Sequence, residues 1–262
     1  MMKIGIIGAG NMAGAIVNGL IGTGMAPSDL FVSDVSAEKL QAIAALGVNT
    51  GKNEEAAAFG EVVILAVKPN IYEKVLPSIS EATAGKLVIS IAAGVTIGFV
   101  AGYLSAARVV RIMPNTPLLV GCGMTAVSYL PPATEDDAKT VVSLFSAVGK
   151  CVIVPESQMD AVVAVSGSGP AYAYMLIDAM AAGGVLEGLA KKDALLLAAQ
   201  TVLGAAKTVL ETGTHPAILT DNVCSPGGTT IAAVAALEET GFRHSVIQAV
   251  KTCAEKSEAL KK

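Results

Sequence analysis

The amino-acid sequence predicts a doubly wound α/β domain with a mostly parallel sheet, followed by an all-α oligomerisation domain. Three observations support this prediction. Short apolar runs alternate with helical segments as far as residue 157. A glycine-rich turn follows the first of these runs. From Met159 onwards, the pattern is helical and contains no convincing strand. We therefore expect one domain over residues 1–157 and a second over residues 158–262.

Composition limits the partners that this chain is expected to bind. The 262 residues suffice for one large or two ordinary domains, and 53% are apolar but only 4% aromatic. A net charge of −4 gives no basic surface for nucleic acid or for a membrane. The four cysteines lack metal-ligand spacing, so we expect neither disulfides nor a metal site. No export signal is evident, which favours a reducing cytoplasm.

One uncharged segment has the length of a membrane span. Residues 87–107 carry no charge, but Gly94, Gly98 and Gly102 interrupt them. The first half is rich in β-branched residues, which is typical of an interior strand of a parallel sheet. We therefore interpret the segment as strand, turn and helix rather than as a span.

The first apolar run, Ile4 to Ile7, leads into a turn with the spacing G-x-G-x-x-A. Gly8 permits a tight turn, Gly10 lets a pyrophosphate approach the backbone, and Ala13 lets the helix lie close to the sheet. Unpaired N–H groups and the positive end of the helix that begins near Asn11 attract the anion. The turn predicts a dinucleotide site; the alternative is an ordinary glycine-rich turn of an α/β domain.

Further strands are expected along the first domain, at residues 30–35, 62–67, 87–91, 109–112, 124–129 and 151–154. Helices are expected at 12–20, 37–46 and 137–148, and Pro77 is expected to break the helix after the third strand. Ligands of such sheets bind at the carboxyl ends of the strands. The motifs at 8–13, 33–35, 66–69, 92–94 and 113–117 all follow strands, so we expect them to converge.

The second domain is predicted to form helices at residues 170–186, 191–210, 229–239 and 242–260. They are rich in alanine and glycine and are apolar over wide faces, so they require burial. About a hundred residues of this kind are too few to bury all these faces. We therefore expect an obligate homo-oligomeric interface; the alternative is a compact monomeric bundle.

Acid–base groups are sparse. His215 and His244 are the only histidines, and their places near helix starts indicate capping or surface roles. The densest polar stretch of the second domain is 221–230, where Pro226-Gly227-Gly228 precedes two threonines that open a helix. Such a turn can hold a carboxylate with backbone donors, or it can be an ordinary N-cap. Residue types alone favour neither interpretation, and the stretch 166–170 is equally ambiguous.

In their order along the chain, these motifs resemble those of the pyrroline-5-carboxylate reductases. The resemblance covers nearly the whole chain and is carried by the stretches 8–13, 66–69, 92–95, 113–117, 166–172 and 221–230. It implies an N-terminal Rossmann domain, a helical domain that interlocks with a second subunit, and dimers that assemble further into a decamer. It also implies reduction of 1-pyrroline-5-carboxylate to L-proline with hydride from NADPH or NADH.

The resemblance also implies roles for individual residues. Those expected to hold the cofactor are Gly8, Gly10, Asn11, Met12, Ser33, Asp34, Asn53, Ala66, Val67, Lys68, Pro69, Ala92, Ala93 and Gly94. Those expected to hold the substrate are Gly227, Gly228 and Thr229 through backbone N–H groups, with Asn222 and Glu156 as polar contacts. Thr230 is expected to place its hydroxyl near the ring nitrogen as the catalytic group.

Asp34 departs from the pattern of NADPH-dependent members, because it places an acid, without an arginine, at the end of the second strand. A carboxylate there accepts hydrogen bonds from ribose hydroxyls but repels a 2′-phosphate. NADH is therefore expected to compete if Asp34 points into the site, and the preference for NADPH is expected to survive if it points to solvent. Rival interpretations are another imine or β-hydroxyacid reductase, and a nucleotide sensor without turnover.

Overall fold

The computed structural model describes residues 2–261, which group into two compact units. The first unit extends to Ser168 and takes in the chain again from Cys253 onwards, whereas the second is Gly169–Thr252. Residues 158–168 therefore pack with the first unit. The division at residue 157 remains a prediction about domain organisation.

A single sheet forms the centre of the first unit. Its strands are β1 (Ile4–Ile7), β2 (Leu30–Ser33), β3 (Asn49–Gly51), β4 (Val62–Leu65), β5 (Leu87–Ser90), β6 (Arg108–Met113), β7 (Gly123–Tyr129) and β8 (Gly149–Ile153). Their spatial order is β3-β2-β1-β4-β5-β6-β7-β8, and only β6 and β7 pair antiparallel among the described strands. The predicted mostly parallel, doubly wound sheet is confirmed.

Helices cover both faces of this sheet. In the first unit they are α1 (Asn11–Gly22), α2 (Ala37–Ala44), α3 (Asn53–Phe59), α4 (Tyr72–Ile79), α5 (Ile97–Tyr103), α6 (Glu135–Phe145) and α7 (Met159–Val162). Ile4 and Ile6 of β1 pack on one face with α1, and Ile7 packs on the other face with α4. Strands buried on both faces explain why the first-unit runs are continuously apolar rather than alternating.

The second unit is helical, as predicted. Its helices are α8 (Gly169–Leu186), α9 (Lys191–Thr212), α10 (Pro216–Val223) and α11 (Thr229–Glu239), and α12 (Phe242–Glu258) begins there and ends in the first unit. Large apolar side chains of these helices remain exposed in the single chain, such as Met175 at 73% and Leu186 at 87%. By length and composition, α9 alone among the described helices could cross a membrane, which is weak evidence by itself.

Three details of the first unit differ from the expectations. Pro77 lies inside α4 and does not break it. It sits on the exposed side of the helix, where water can replace the hydrogen bond that a proline nitrogen cannot donate. The short elements β3 and α3 were not predicted. By contrast, residues 87–107 do form a strand, a turn and a helix.

Candidate active site

The glycine-rich turn joins β1 to α1 at the carboxyl edge of the sheet. Gly8 has a φ of +106°, and a Cβ there would lie 2.6 Å from the carbonyl oxygen of Ala66. Its N–H donates to the carbonyl of Ser33 at 2.7 Å, which ties the turn to the end of β2. Gly10 is the N-cap of α1, and a Cβ there would meet nothing within 4 Å. The space beside the N-cap of α1 is therefore open, as an anion site requires.

A cavity of about 490 Å³ opens beside this turn. Half of the residues predicted to bind the cofactor line it, namely Gly8, Gly10, Asp34, Asn53, Ala66, Val67 and Lys68. The others, Asn11, Met12, Ser33, Pro69, Ala92, Ala93 and Gly94, lie outside its lining. The space runs along the ends of β1, β2 and β4, so its cradle suits an extended dinucleotide.

Asp34 faces the cavity, and the backbone already engages both of its oxygens. Oδ2 accepts from the N–H of Ala9 at 2.7 Å, and Oδ1 accepts from the N–H of Ser36 at 2.9 Å. Burial disfavours the charged carboxylate, but these hydrogen bonds outweigh burial and hold the pKa of Asp34 below its ordinary value. The side chain is thus a fixed anion in the cavity lining rather than a group directed into solvent.

Three lysines also line the cavity and balance this acid. Lys39 comes from the first turn of α2, Lys68 from the segment after β4, and Lys74 from α4. Three cations against one carboxylate make the cavity attractive to phosphate groups. Lys39 and Lys74 were not predicted. Their signal is their place in the helices that directly follow β2 and β4, which turns them back toward the strand ends.

Ser33 is hydrogen-bonded to a second residue that is predicted to hold the cofactor. Its side chain is fully buried, and its Oγ donates to Oδ1 of Asn53 at 2.8 Å. Asn53 is the first residue of α3 and lines the cavity. Ser33 therefore supports Asn53 from behind the cavity wall.

Glu156 is bound to two donors of the first unit. Its Oε1 accepts from the N–H of Ile97 at 2.7 Å and from Nη1 of Arg111 at 3.2 Å. Ile97 opens α5, directly after the segment that contains Ala92, Ala93 and Gly94. The pair therefore joins β6 to the end of the loop that follows β5.

Two of the other motifs meet within the first unit. Nδ2 of Asn115 donates to the carbonyl of Ser166 at 3.1 Å, and its Oδ1 accepts from the N–H of Met124 at 2.9 Å. Both sides of one amide are thus used to hold the segment after β6 against the chain that leads into α8. This arrangement indicates a structural role for Asn115.

The polar stretch of the second unit forms the connection between α10 and α11. Gly227 has a φ of +68°, and Gly228 is the N-cap of α11 without a side-chain cap. The N–H of Gly228 donates to the carbonyl of Ser225 at 3.0 Å, which closes the turn. Thr229 and Thr230 are the first two residues of the helix. The start of α11 thus has no side-chain cap and lies next to two hydroxyls.

His215 caps α10, as predicted, because its Nδ1 accepts from the N–H of Ala217 at 3.2 Å. Within residues 2–261, no group of three or more His, Cys, Asp or Glu side chains could hold a metal ion, and the four cysteines are free.

Comparison with known proteins identifies both parts of the chain. A family model described as pyrroline-5-carboxylate reductase dimerisation matches residues 156–260. A second model, described as NADP oxidoreductase, coenzyme F420-dependent, matches residues 3–94. Residues 95–155 lie between the two matches, and the domain division at residue 157 remains a prediction.

Full-length relatives agree with these matches. The pyrroline-5-carboxylate reductase of Escherichia coli (strain K12) is 47% identical over 99% of this chain and 98% of its own. The structure of a pyrroline-5-carboxylate reductase from Coxiella burnetii superposes with a TM-score of 0.94 at 38% identity, covering 100% of this chain and 99% of its own. The Plasmodium falciparum pyrroline carboxylate reductase with NADP bound gives a TM-score of 0.89 at 32% identity, over 100% and 98%. The chain belongs to the pyrroline-5-carboxylate reductase family, the NAD(P)H-dependent oxidoreductases that reduce 1-pyrroline-5-carboxylate to L-proline.

Proposed function

We propose that this chain reduces 1-pyrroline-5-carboxylate by holding its carboxylate on the N-terminus of α11 and its ring nitrogen against Thr230. The observation that carries this proposal is the uncapped start of α11, where Gly227 and Gly228 lead directly into two threonines. Backbone N–H groups of Gly227, Gly228 and Thr229 attract the carboxylate through hydrogen bonds and the helix dipole. The N–H of Gly228 would be shared between the carboxylate and the carbonyl of Ser225, as three-centre hydrogen bonds at helix ends are. Asn222, at the end of α10, is a further polar contact.

Thr230 suits both ends of the reaction. The protonated imine carries an N–H that a hydroxyl oxygen can accept, and the amine that forms carries a lone pair to which the hydroxyl can donate. The cofactor supplies a hydride, which adds to the carbon of the C=N bond while the π electrons become the nitrogen lone pair. An iminium carbon accepts hydride readily, so the site has mainly to align the reactants. This fits the places of His215 and His244, which lie at the starts of α10 and α12.

The cavity beside Gly8 is proposed to hold the dinucleotide. Gly10, Asn11 and Met12 contact the pyrophosphate at the start of α1, and Asp34 and Asn53 face the adenosine ribose, with Ser33 behind them. Ala66, Val67, Lys68 and Pro69 run alongside the dinucleotide, and Ala92, Ala93 and Gly94 border the nicotinamide. The opening before Gly10 and the three lysines of the lining support this placement.

The helical part forms homo-oligomers through its dimerisation domain, which we assign to residues 158–262. We propose that the exposed apolar face of α9 packs against a partner subunit rather than lipid. We also propose that dimers assemble further into a decamer and that the protein works in the cytoplasm. The exposed apolar side chains of the helices support a protein interface.

The test is turnover with both reduced cofactors side by side. Absorbance of the reduced cofactor is followed on adding 1-pyrroline-5-carboxylate, with controls that lack substrate. Thr230→Val is expected to lower kcat by roughly 10- to 1000-fold, the range for losing one stabilising donor, with cofactor affinity little changed. Thr240→Val is the matched control, because Thr240 caps the opposite end of α11. Unaltered kcat in Thr230→Val would remove this hydroxyl from the mechanism.

A further inference from the structure

A buried arginine lies in the sheet next to the nicotinamide end of the proposed site. Arg111 of β6 is paired in register with Ser90 of β5 and Ser128 of β7, and its side chain is only 2% exposed. Its Nη1 lies 3.2 Å from Oε1 of Glu156. Its Nη2 is buried and has no hydrogen-bond partner among the described residues.

Stability alone does not explain this arrangement. A buried ion pair with an unsatisfied N–H costs free energy that an apolar side chain of similar volume avoids. β6 is otherwise apolar at this point, with Val110 and Ile112 on either side of Arg111. A buried charge in an apolar strand is typical of sites where the placement of a group matters more than stability.

The pair fixes one end of the loop between β5 and α5. Oε1 of Glu156 also accepts from the N–H of Ile97 at 2.7 Å, so the arginine and the first N–H of α5 meet on one oxygen. The charge of Arg111 holds the carboxylate in place, and the carboxylate in turn holds Ile97. Without Arg111, a single carboxylate on a connecting segment would be free to rotate away.

The other end and the outer side of the loop are held as well. The hydroxyls of Tyr72 and Ser90 lie 3.0 Å apart at the end of β5, and Tyr72 also donates to the carbonyl of Leu65. Burial raises the pKa of Tyr72 to about 12, so its hydroxyl keeps its proton. A Cβ on Gly94 would lie 3.0 Å from the carbonyl oxygen of Leu260, so the backbone packs closely there.

We propose that Arg111 and Glu156 are positioning residues that hold the loop 91–96 in the conformation needed to align the nicotinamide ring. The inference rests on the proposed placement of Ala92, Ala93 and Gly94 beside the nicotinamide. In this role Glu156 acts through the backbone of α5 and needs no contact with the substrate. The pair therefore affects the nicotinamide half of the cofactor and leaves the adenosine half untouched.

A ligand that lacks the nicotinamide half separates this role from a general structural one. Binding of NADPH and of 2′,5′-ADP is titrated by calorimetry on the full chain, for the wild type, for E156Q and for the double variant R111M/E156Q. The double variant is included because E156Q leaves a buried charge unpaired and can fail to fold. We expect the Kd of NADPH to rise by roughly tenfold, equivalent to about 1.4 kcal/mol, with the Kd of 2′,5′-ADP unchanged within about twofold. We expect kcat to fall by roughly 10- to 100-fold, the scale of a small misplacement of reacting groups.

Asp137→Asn is the matched control, because Asp137 pairs with Arg108 at the opposite end of β6, at 3.1 Å. It is expected to lower the melting temperature while leaving both Kd values unchanged. Arg111→Lys keeps the cation and is expected to lose less NADPH affinity than R111M/E156Q. An equal loss for both ligands, or no loss for either, would overturn the positioning role. If the variants show this split but the wild type does not reduce 1-pyrroline-5-carboxylate, the proposed function is overturned and the positioning role stands.

Discussion

Asp34 provides a direct test of cofactor choice. The carboxylate lines the cavity and is fixed by the N–H groups of Ala9 and Ser36 at 2.7 and 2.9 Å. Asp34→Asn keeps the size of the side chain and one acceptor oxygen but removes the charge. Unit charges about 4 Å apart interact by about 1 kcal/mol in water and about 4 kcal/mol near a protein surface. Because Lys39 lines the same cavity and offsets part of the repulsion, we expect a gain of about 1–3 kcal/mol for a 2′-phosphate.

This free energy predicts a measurable shift in selectivity. The ratio of kcat/KM for NADPH to kcat/KM for NADH is expected to rise by roughly 5- to 150-fold in Asp34→Asn. Loss of an acceptor for the ribose hydroxyls is expected to weaken the binding of NADH, which adds to the shift in the ratio. Glu38→Gln changes the net charge equally, but Glu38 is an exposed residue of α2 outside the cavity lining. If the ratio stays within about twofold of the wild type in both variants, Asp34 does not act on the ribose.

Three further outcomes follow from the geometry. Gly8→Ala is expected to lower the melting temperature and to abolish cofactor binding in a titration, because Gly8 has a φ of +106° and a carbonyl lies close to it. Its control is Gly14→Ala, which lies in open space within α1 and is expected to stabilise the protein by about 0.5–1 kcal/mol. Met175→Glu on α8 is expected to dissociate the oligomer in light scattering at micromolar concentration, and a monomeric wild type would refute the interface. Burial disfavours the charged form of Asp160, but hydrogen bonds from Lys261 and Ser257 outweigh the effect of burial and lower the pKa of Asp160. The contribution of Asp160 to stability is therefore present above the ordinary pKa of 3.8 and is lost as pH falls through the pKa of the folded protein. Urea unfolding of Asp160→Asn is therefore expected to depend less on pH below that value than in the wild type.

The sheet was predictable because burial on both faces leaves an unmistakable pattern. Runs such as Val62–Leu65 and Leu87–Ser90 are continuously apolar because helices cover both sides of the sheet. β3, by contrast, consists of Asn49, Thr50 and Gly51, which carry no apolar signal. Its place at the edge of the sheet requires little burial. α3 was missed for a related reason, since two glutamates dominate its first turn and only alanines are buried.

The site was predictable where the backbone makes it and not where long side chains do. Gly8 and Gly10 are recognisable in the sequence for two reasons. Glycine is favoured at a positive φ, as at Gly8, and its lack of a side chain leaves open space before a helix, as at Gly10. Lys39 and Lys74 are ordinary helix residues until the topology brings α2 and α4 to the same edge. Arg111 did carry a signal, as a charge between Val110 and Ile112 in a strand, but its partner Glu156 lies 45 residues away, and only the fold joins them.

The chemistry of the reaction explains why the candidate site depends on backbone groups and on side chains that hold backbone. Reduction of an iminium ion requires no strong acid or base, so the chain can act with few titratable groups and with its histidines at helix starts. The site then has mainly to align the substrate with the cofactor. We expect backbone groups, and the side chains that hold them, to provide this alignment. Gly227 and Gly228 lead into the first N–H groups of α11, and Glu156 holds the first N–H of α5. A charged pair buried in the sheet is therefore more useful here as a fixed support for a loop than as a source of protons.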